Sequence, residues 1–368
     1  MNKPIRVLQV VTHMNRGGLE TMLMNYYRHI DRNCVQFDFL VHRDKRAAYD
    51  DEIEALGGKI YRLPRLVPWS VHYQKALNCF FDSHPEYKIV HVHQDCLSSV
   101  ILKVAHKHGV PVRIAHSHNS SQDMDIKFFI KLFYKQFIPR YANKLFACSQ
   151  LAGNWMFSGA PFEILNNAID NVAYTYAPET SRKVREQLMI PEDAFVIGHV
   201  GRFSHPKNHS YLIDIFASVA SKEPKAKLLM VGDGDLRPEM EAKVKVLGLI
   251  DRVIFTGVRS DVPELLQAMD VFVFPSLYEG LGIAALEAQA SGLPCVISDQ
   301  VPSDCAVTDL VDFMSLSSSP EEWADRIIAA KGTPRRNTYD EVARAGFGIA
   351  ENAAWLEKFY LSKQKEMD

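Results

Sequence analysis

The sequence contains no run of eighteen apolar residues, so it offers no helix able to cross a membrane. Its six cysteines, at positions 34, 79, 96, 148, 295 and 305, never form a CxxC pair, and several lie inside apolar runs such as "KLFACS". That pattern argues for reduced, buried thiols in a cytoplasmic protein and against a disulfide frame or a zinc site. An excess of charge of one sign is also missing: 42 basic and 44 acidic side chains leave a net charge of −2. With no nucleic-acid-binding module in view, a nucleic-acid partner is not expected. No short-period repeat or low-complexity tract is evident. The opening "MNKPIRVLQVVTH" has too short an apolar run and no small-residue cleavage site, so it reads as a strand and a signal peptide is not expected. The "THMNRGG" that follows is not GxGxxG, which counts against a nicotinamide-dependent Rossmann oxidoreductase.

What is present is a regular alternation. At 368 residues and 47% hydrophobic side chains, the chain can bury two cores of ordinary size. Candidate strands at 5–12, 35–42, 59–64, 89–93, 112–118 and 144–149 alternate with helical stretches such as 19–30 and 98–108. The pattern restarts with strands at 195–202, 227–234, 252–257, 271–276 and 294–299. Near-continuous apolar strands separated by helices imply parallel sheets covered on both faces. The expected fold is α/β, with two Rossmann-like domains facing each other across a cleft. The polar stretch 177–194 places the boundary near 170–180. Residues 1–172 form the first domain and 173–345 the second, with a closing helix in 346–368 packing back toward the first. Charge divides along the same line. Residues 1–170 hold 21 lysines and arginines against 15 carboxylates, a net +6, together with eleven of the fourteen histidines. The remainder carries −8. Ordinary surface variation explains this as well as an N-terminal half that meets an anionic acceptor or lipid surface.

In parallel α/β sheets ligands bind outside the carboxyl ends of the strands, so the loops after strands are the places to search. In "HVGRFSHPKNHSYLIDIF" (199–216), Arg202 and Lys207 precede a helix expected to start near Asn208, a favourable N-cap residue. Two cations beside a helix N-terminus suit a pyrophosphate, although surface cations in a turn look the same in sequence. In "YEGLGIAALEAQASGLP" (278–294), Gly280 and Gly282 precede a helix expected from about Leu281 to Ser291. Glu279 and Glu287 stand eight residues apart. On helical geometry that is about 12 Å along the axis, wider than the roughly 5–9.5 Å between the carboxyl groups of a glycosidase pair. Two contacts on one long ligand fit the spacing better than an acid/base pair. The small and apolar neighbours of Glu287 suggest a buried helix, in which a carboxylate needs partners.

These stretches resemble the E-x7-E signature and donor loops of the retaining glycosyltransferases of family 4, which have the GT-B fold. "EGLGIAALEAQASGLPCVISD", "VGRFSHPKN", "RVIFTGVRSDVPELLQAMDVFVFPS" and "NRGGLETMLMNYY" carry the resemblance, which covers nearly the whole chain. The versions "MNRGGLETMLMNYYR" and "RIAHSHNSS" look closest to bacterial enzymes of capsular and exopolysaccharide assembly.

The resemblance implies roles. Arg202 and Lys207 bind the donor pyrophosphate and stabilise the departing nucleoside diphosphate. Glu287 binds the ribose hydroxyls and Glu279 faces the donor sugar. Backbone N–H groups of Gly280, Leu281, Gly282 and Ile283 support sugar or phosphate. The base lies near Val258 and Arg259, and Gly17 and Gly18 let the N-terminal loop close on the phosphates. A histidine after the fifth strand faces the reacting sugar. His116 and His118 both stand there, and His118 is the preferred one. His91 and His93 alternate on a strand and read as structural or acceptor-side, with His93, His116 and His118 kept as acceptor-side candidates. No metal or other cofactor is implied, because cations and helix dipole serve the phosphates. "GDGD" (232–235) accordingly reads as turn chemistry and not as a DxD metal site through Asp233 and Asp235. The choice between a covalent intermediate and front-face attack stays open.

One departure concerns "NNAID" (166–170), where Ala168 stands in place of the family's glycine and would be strained if that position needs positive φ. On the acceptor side, "DIKFFIKLFYKQFIPRYANKLF" (125–146) places Lys127, Lys131 and Lys135 at four-residue steps among aromatic residues. Such a helix can lie on an anionic membrane surface, or pack on its own domain with a solvated lysine stripe. The leading reading is transfer of a hexose from a nucleotide sugar, UDP-linked, to a glycan acceptor that is lipid-linked. The alternatives are a UDP-sugar epimerase of the same fold and a non-catalytic partner subunit. The intact Arg202, Lys207, Glu279 and Glu287 weigh against both.

Overall fold

The computed structural model describes residues 3–119 and 128–367. Two compact units result. One takes the chain up to Ile169 and again from Ile349, and the other runs Asp170–Gly348.

The first unit holds seven strands: β1 (Ile5–Val11), β2 (Val35–Val41), β3 (Ile60–Arg62), β4 (Ile89–Val92), β5 (Val112–Ser117), β6 (Lys144–Ala147) and β7 (Glu163–Ile164). They form one parallel sheet in the order β3-β2-β1-β4-β5-β6-β7. Alternate side chains feed opposite faces, as the strand period of two requires. Val7, Phe37, Phe39, Ile89, Ile114 and Phe146 pack beneath helices Gly18–His29 and Ile349–Lys365. Leu8, Val10, Val90 and Val92 meet Leu77, Ile101 and Leu102 on the other face. Helix Ile349–Lys365 joins this unit by burying Ile349, Ala353, Leu356 and Tyr360.

The second unit holds β8 (Phe195–Val200), β9 (Ala226–Val231), β10 (Val253–Phe255), β11 (Val271–Phe274), β12 (Cys295–Ser298) and β13 (Val311–Met314). Its parallel sheet runs β10-β9-β8-β11-β12-β13. Phe195, Ile197, Leu228, Met230, Val271 and Val273 form a core with Leu212, Phe216 and Trp323. In both sheets the first strand has its sequence neighbour on one side and a later strand on the other. β1 stands between β2 and β4, and β8 between β9 and β11. That reversal leaves a crevice at the carboxyl ends, the usual ligand position in such sheets.

The structure departs from the sequence-based expectation in several places. β7 and β13 are additional edge strands. Their two and four residues are exposed or only partly buried, so neither shows as an apolar run. The stretch 125–146 is not one helix: among the described residues it breaks into Phe128–Lys135 and Ile138–Tyr141 before β6 begins. Ala168 is not among the residues with positive φ, and its methyl is buried in the core, so the substitution for glycine carries no strain. Tyr26 and Asn25 of the first helix donate to the carbonyls of Asn166 and Ala168, at 2.6 and 3.2 Å, and hold that run in place.

Candidate functional site

In the second unit, the loop after β8 carries Gly201 to Ser204 into a single turn, His205–Lys207, and then helix His209–Lys222. Asn208 occupies the N-cap position, but it does not cap the helix with its side chain. It is left-handed, φ 54°, and its side chain makes no capping bond. The loop is anchored from below by Phe203, which is buried and stacks on His209 with ring centroids 4.0 Å apart. From one side the turn after β9 supports it. A Cβ at Gly232 would run into the Gly201 carbonyl, and one at Gly234 into that of Phe203. The "GDGD" run is therefore shaped by close backbone approach. Asp233 accepts from its neighbour Gly234 N–H at 2.7 Å and pairs with Arg237 at 3.2 Å.

From the other side comes the loop after β11. The Leu277 N–H donates to the Pro206 carbonyl at 2.8 Å, and Lys207 Nζ donates to Glu279 Oε1 at 2.7 Å. The same ammonium lies 4.7 Å from the centre of the Phe274 ring. Two sequence-distant loops thus meet where adjacent strands β8 and β11 end, and Lys207 and Glu279 are brought together there. The Arg202 guanidinium is exposed and has no hydrogen-bond or ion-pair partner among the described residues.

Helix Ile283–Ala290 starts two residues later than the sequence suggests, because Gly282 is its N-cap in a left-handed conformation, φ 92°. The Leu281 side chain turns into the core, so only its backbone faces the loop region. A side chain at Gly282 would be strained in φ and would press on Val301. Small residues let this helix sink, and Ala285, Leu286, Ala288 and Ala290 are buried with Glu287, which is only 7% exposed. Tyr174 Oη donates to Glu287 Oε1 at 2.7 Å. Burial pushes the Glu287 carboxyl up to about 7, while the Tyr174 hydrogen bond and the positive field of Lys207 pull it down. Val258, 56% exposed, follows Gly257 after β10, and Arg259 forks onto Asp261 at 2.8 and 2.6 Å.

In the first unit, the carboxyl ends of β4 and β5 carry a histidine cluster. The β4–β5 register sets Val92 beside Ala115, so that His93 falls beside His116. His93 Nδ1 lies 2.8 Å from His118 Nε2, and His93 Nε2 lies 2.9 Å from Gln9 Oε1. His91 Nδ1 lies 2.8 Å from Tyr360 Oη. His116 is buried with both ring nitrogens lacking a hydrogen-bond partner, as are His91 Nε2 and His118 Nδ1. An unmade buried hydrogen bond costs about 1–3 kcal/mol, so four such atoms in one cluster need a physical reason. Burial drives all four imidazoles toward the neutral form. Asp95, just beyond β4, has φ 44° and accepts from Asn119 at 3.0 Å. Gly17 is the extended N-cap of helix Gly18–His29, and a Cβ there would collide with the Glu20 carboxylate. Both Gly17 and Gly18 are exposed.

Residues 16–171 match the family profile for Glycosyltransferase Family 4, and residues 180–345 match that for Glycosyl transferases group 1. EpsF of Bacillus subtilis (strain 168), a glycosyltransferase by name, is 36% identical over 98% of this chain and 98% of its own length. The chain belongs to the GT-B glycosyltransferases. The UDP-Gal:alpha-D-GlcNAc-diphosphoundecaprenol alpha-1,3-galactosyltransferase of Escherichia coli is 27% identical over 75% of this chain and 76% of its own. The fold is that of Anabaena HepE, whose structure was solved in complex with UDP-glucose. The TM-score is 0.81 at 19% identity, covering 97% of this chain and 99% of that one.

In the second unit of this GT-B glycosyltransferase, Lys207 supplies a paired cation, Arg202 an exposed one, Glu279 an acceptor bound to Lys207, and Glu287 a buried acceptor aimed by Tyr174. Sequence reasoning missed Tyr174, Gln9, Tyr360 and Asp95. Tyr174 is held by Gln267, whose amide donates to the Tyr174 carbonyl at 3.2 Å and accepts from the Ala177 N–H at 2.9 Å. No local pattern marks these residues. The only available signal was that a buried carboxylate and four strand histidines needed partners.

The basic helix is also rearranged. Lys127 lies outside the described residues. Lys131 and Lys135 are half-buried, and Lys135 stacks over the Trp155 ring at 4.5 Å. The outward face is instead Phe129, Leu132 and Phe133, of which Phe129 is 75% and Phe133 55% exposed. Beside it lies a groove of about 780 Å³, lined by Phe133, Phe137, Tyr141, Lys103 and Lys107 among others. Among the described residues no helix is long and apolar enough to cross a membrane.

Proposed function

We propose that this glycosyltransferase is a retaining, metal-independent member of family 4 that moves a hexose from a UDP-sugar to a lipid-linked glycan in capsular or exopolysaccharide assembly. The observation that carries the reading is the pairing of Lys207 with Glu279 at the β8/β11 crevice, beside exposed Arg202 and buried Glu287. Cations at the mouth of the crevice suit a diphosphate, and a buried carboxylate suits ribose hydroxyls, which donate to it. Glu279, next to the phosphate-binding cation, faces the sugar. His118, half-exposed just past β5, is the histidine that faces the reacting sugar. UDP as the nucleotide is supported by the ligand of HepE, and a lipid-linked acceptor by the printed activity of the E. coli relative. Charge on the departing diphosphate is met by Arg202, Lys207 and the helix N-terminus, so no divalent cation is needed there.

A panel of nucleotide sugars, scored by thermal shift and by slow donor hydrolysis, tests this. UDP and one UDP-hexose should raise the melting temperature equally with and without magnesium or manganese. A shift with no UDP-sugar, or one that appears only with the metal, counts against the proposal. Release of an epimerised sugar in place of transfer would favour the epimerase alternative.

The acceptor's lipid is met at an anionic membrane surface. Exposed Phe129, Leu132 and Phe133 supply apolar contact, and the neighbouring lysines supply charge. Co-sedimentation with phosphatidylglycerol vesicles at low salt should capture the protein, and Phe129→Ser/Phe133→Ser should release most of it. Failure of the unaltered chain to bind would end this part of the proposal.

A further inference from the structure

Three buried imidazoles of the first unit bring their nitrogens close together. His91, His93 and His116 each offer a nitrogen, and these three atoms lie within 4.8 Å of one another. His91 and His93 are two apart on one strand and therefore share a face, and His116 joins them from the adjacent strand. We propose that His91, His93 and His116 bind a zinc-class transition-metal ion. No role assigned above uses this set as a metal site, and it departs from the expectation of a chain without metal.

Two of the three rings are already held as such a site requires. A metal-bound histidine is fixed by a hydrogen bond at its other nitrogen. Tyr360 Oη holds His91 Nδ1, which leaves Nε2 as the ligand atom. Gln9 Oε1 holds His93 Nε2, which leaves Nδ1. His116 has two uncommitted nitrogens. His93 Nδ1 exchanges its 2.8 Å contact with His118 Nε2 for the ion, and a water completes the tetrahedron. Tetrahedral coordination with bonds of about 2.0–2.1 Å separates ligand atoms by about 3.4 Å. Loading therefore draws the widest pair, within 4.8 Å, together by up to about 1.4 Å, a motion within reach of imidazole rotation. Neutral imidazoles with no carboxylate among them select zinc, copper, nickel or cobalt, and not magnesium, calcium or manganese. His91 Nε2 and both nitrogens of His116 have no hydrogen-bond partner among the described residues, so the ion satisfies atoms that otherwise have none.

The proposal does not rest on the donor reading, because all three ligands lie in the first unit and the readout is metal and not transfer. The full chain, made without a polyhistidine tag and stripped by a chelator, is dialysed against zinc and its metal content measured. About one equivalent is expected, with a raised melting temperature. Magnesium should give neither. His91→Gln/His116→Gln should bind at least about tenfold less zinc, while His72→Ala, at an exposed site, should bind as the unaltered chain does. Cobalt loading of the unaltered chain should give the intense visible absorption of a tetrahedral site, a readout that survives if the double variant does not fold. Substoichiometric zinc in the unaltered chain, equal zinc in the double variant, loss with His72→Ala, or a weak octahedral cobalt spectrum would each overturn the assignment.

Discussion

Arg202→Ala should lower transfer by about 10²–10³-fold and remove the UDP-induced thermal shift, while leaving the melting temperature of the free protein nearly unchanged. A pre-placed donor to developing negative charge is worth about that factor, because its dipole needs no reorganisation during reaction. The fold should not notice the change. Arg202 is exposed and partnerless among the described residues, and such surface substitutions usually stay within about ±0.5 kcal/mol. Lys207→Ala offers the contrast. It should cost as much activity, and it should also destabilise the free protein by about 1–3 kcal/mol. It takes away the cation 2.7 Å from largely buried Glu279 and the contact with the Phe274 ring. Paired measurements of kcat/KM, UDP affinity and urea stability separate the two. An Arg202→Ala enzyme that binds UDP and transfers sugar normally would place the diphosphate elsewhere.

Glu287→Gln should make the free protein more stable above pH 7 and weaken its grip on UDP. The Glu287 carboxyl is raised in the folded state from 4.5 to about 7 by burial. Between those values the folded protein keeps a proton that the unfolded chain gives up, so stability falls as pH rises through this window and stays low above it. Glutamine is neutral throughout, and its Oε1 still accepts from Tyr174. The variant should match the unaltered chain below pH 4.5 and exceed it by about 3 kcal/mol above pH 7, since one pKa unit corresponds to about 1.4 kcal/mol. Urea titrations at pH 4.5 and pH 8 read this difference directly. Ribose hydroxyls donate to the ionised form, so UDP affinity of the unaltered protein should rise between about pH 6 and 8, and the variant should lose that dependence. Equal stability at pH 8, or a pH-independent UDP affinity in the unaltered chain, would remove Glu287 from the donor site. The buried carboxylate is held at a cost to stability, as expected where function needs a charge in an apolar helix.

Much of the architecture was legible because it is written in local periods. Eleven strands read from apolar runs appear in the two sheets, since burial on both faces leaves little room for polar residues. β7 and β13 did not show, because an edge strand of two or four half-exposed residues has no such run. The stretch 125–146 differs from its sequence reading in two ways: the chain breaks after Lys135, and within Phe128–Lys135 the outward residues are Phe129, Leu132 and Phe133 while Lys131 and Lys135 are half-buried. At the proposed donor site, Arg202, Lys207, Glu279 and Glu287 are each visible in the sequence as residues beside glycines and helix starts. The cap at Asn208 and the start at Gly282 are not, because backbone handedness there is set by packing against neighbouring loops.

By itself the sequence determined the α/β class, the restart of the pattern near residue 180 and the loops that carry cations and carboxylates. These follow from hydrophobic periodicity and from glycine and proline punctuation, which act within a few residues of the chain. Only the tertiary structure decided which of those groups meet. It joined Lys207 to Glu279 across 72 positions, Tyr174 to Glu287 across 113, and His91 to Tyr360 across 269. Such pairings come from strand order and from the need to satisfy polar groups once they are buried, and neither leaves a local mark in the sequence.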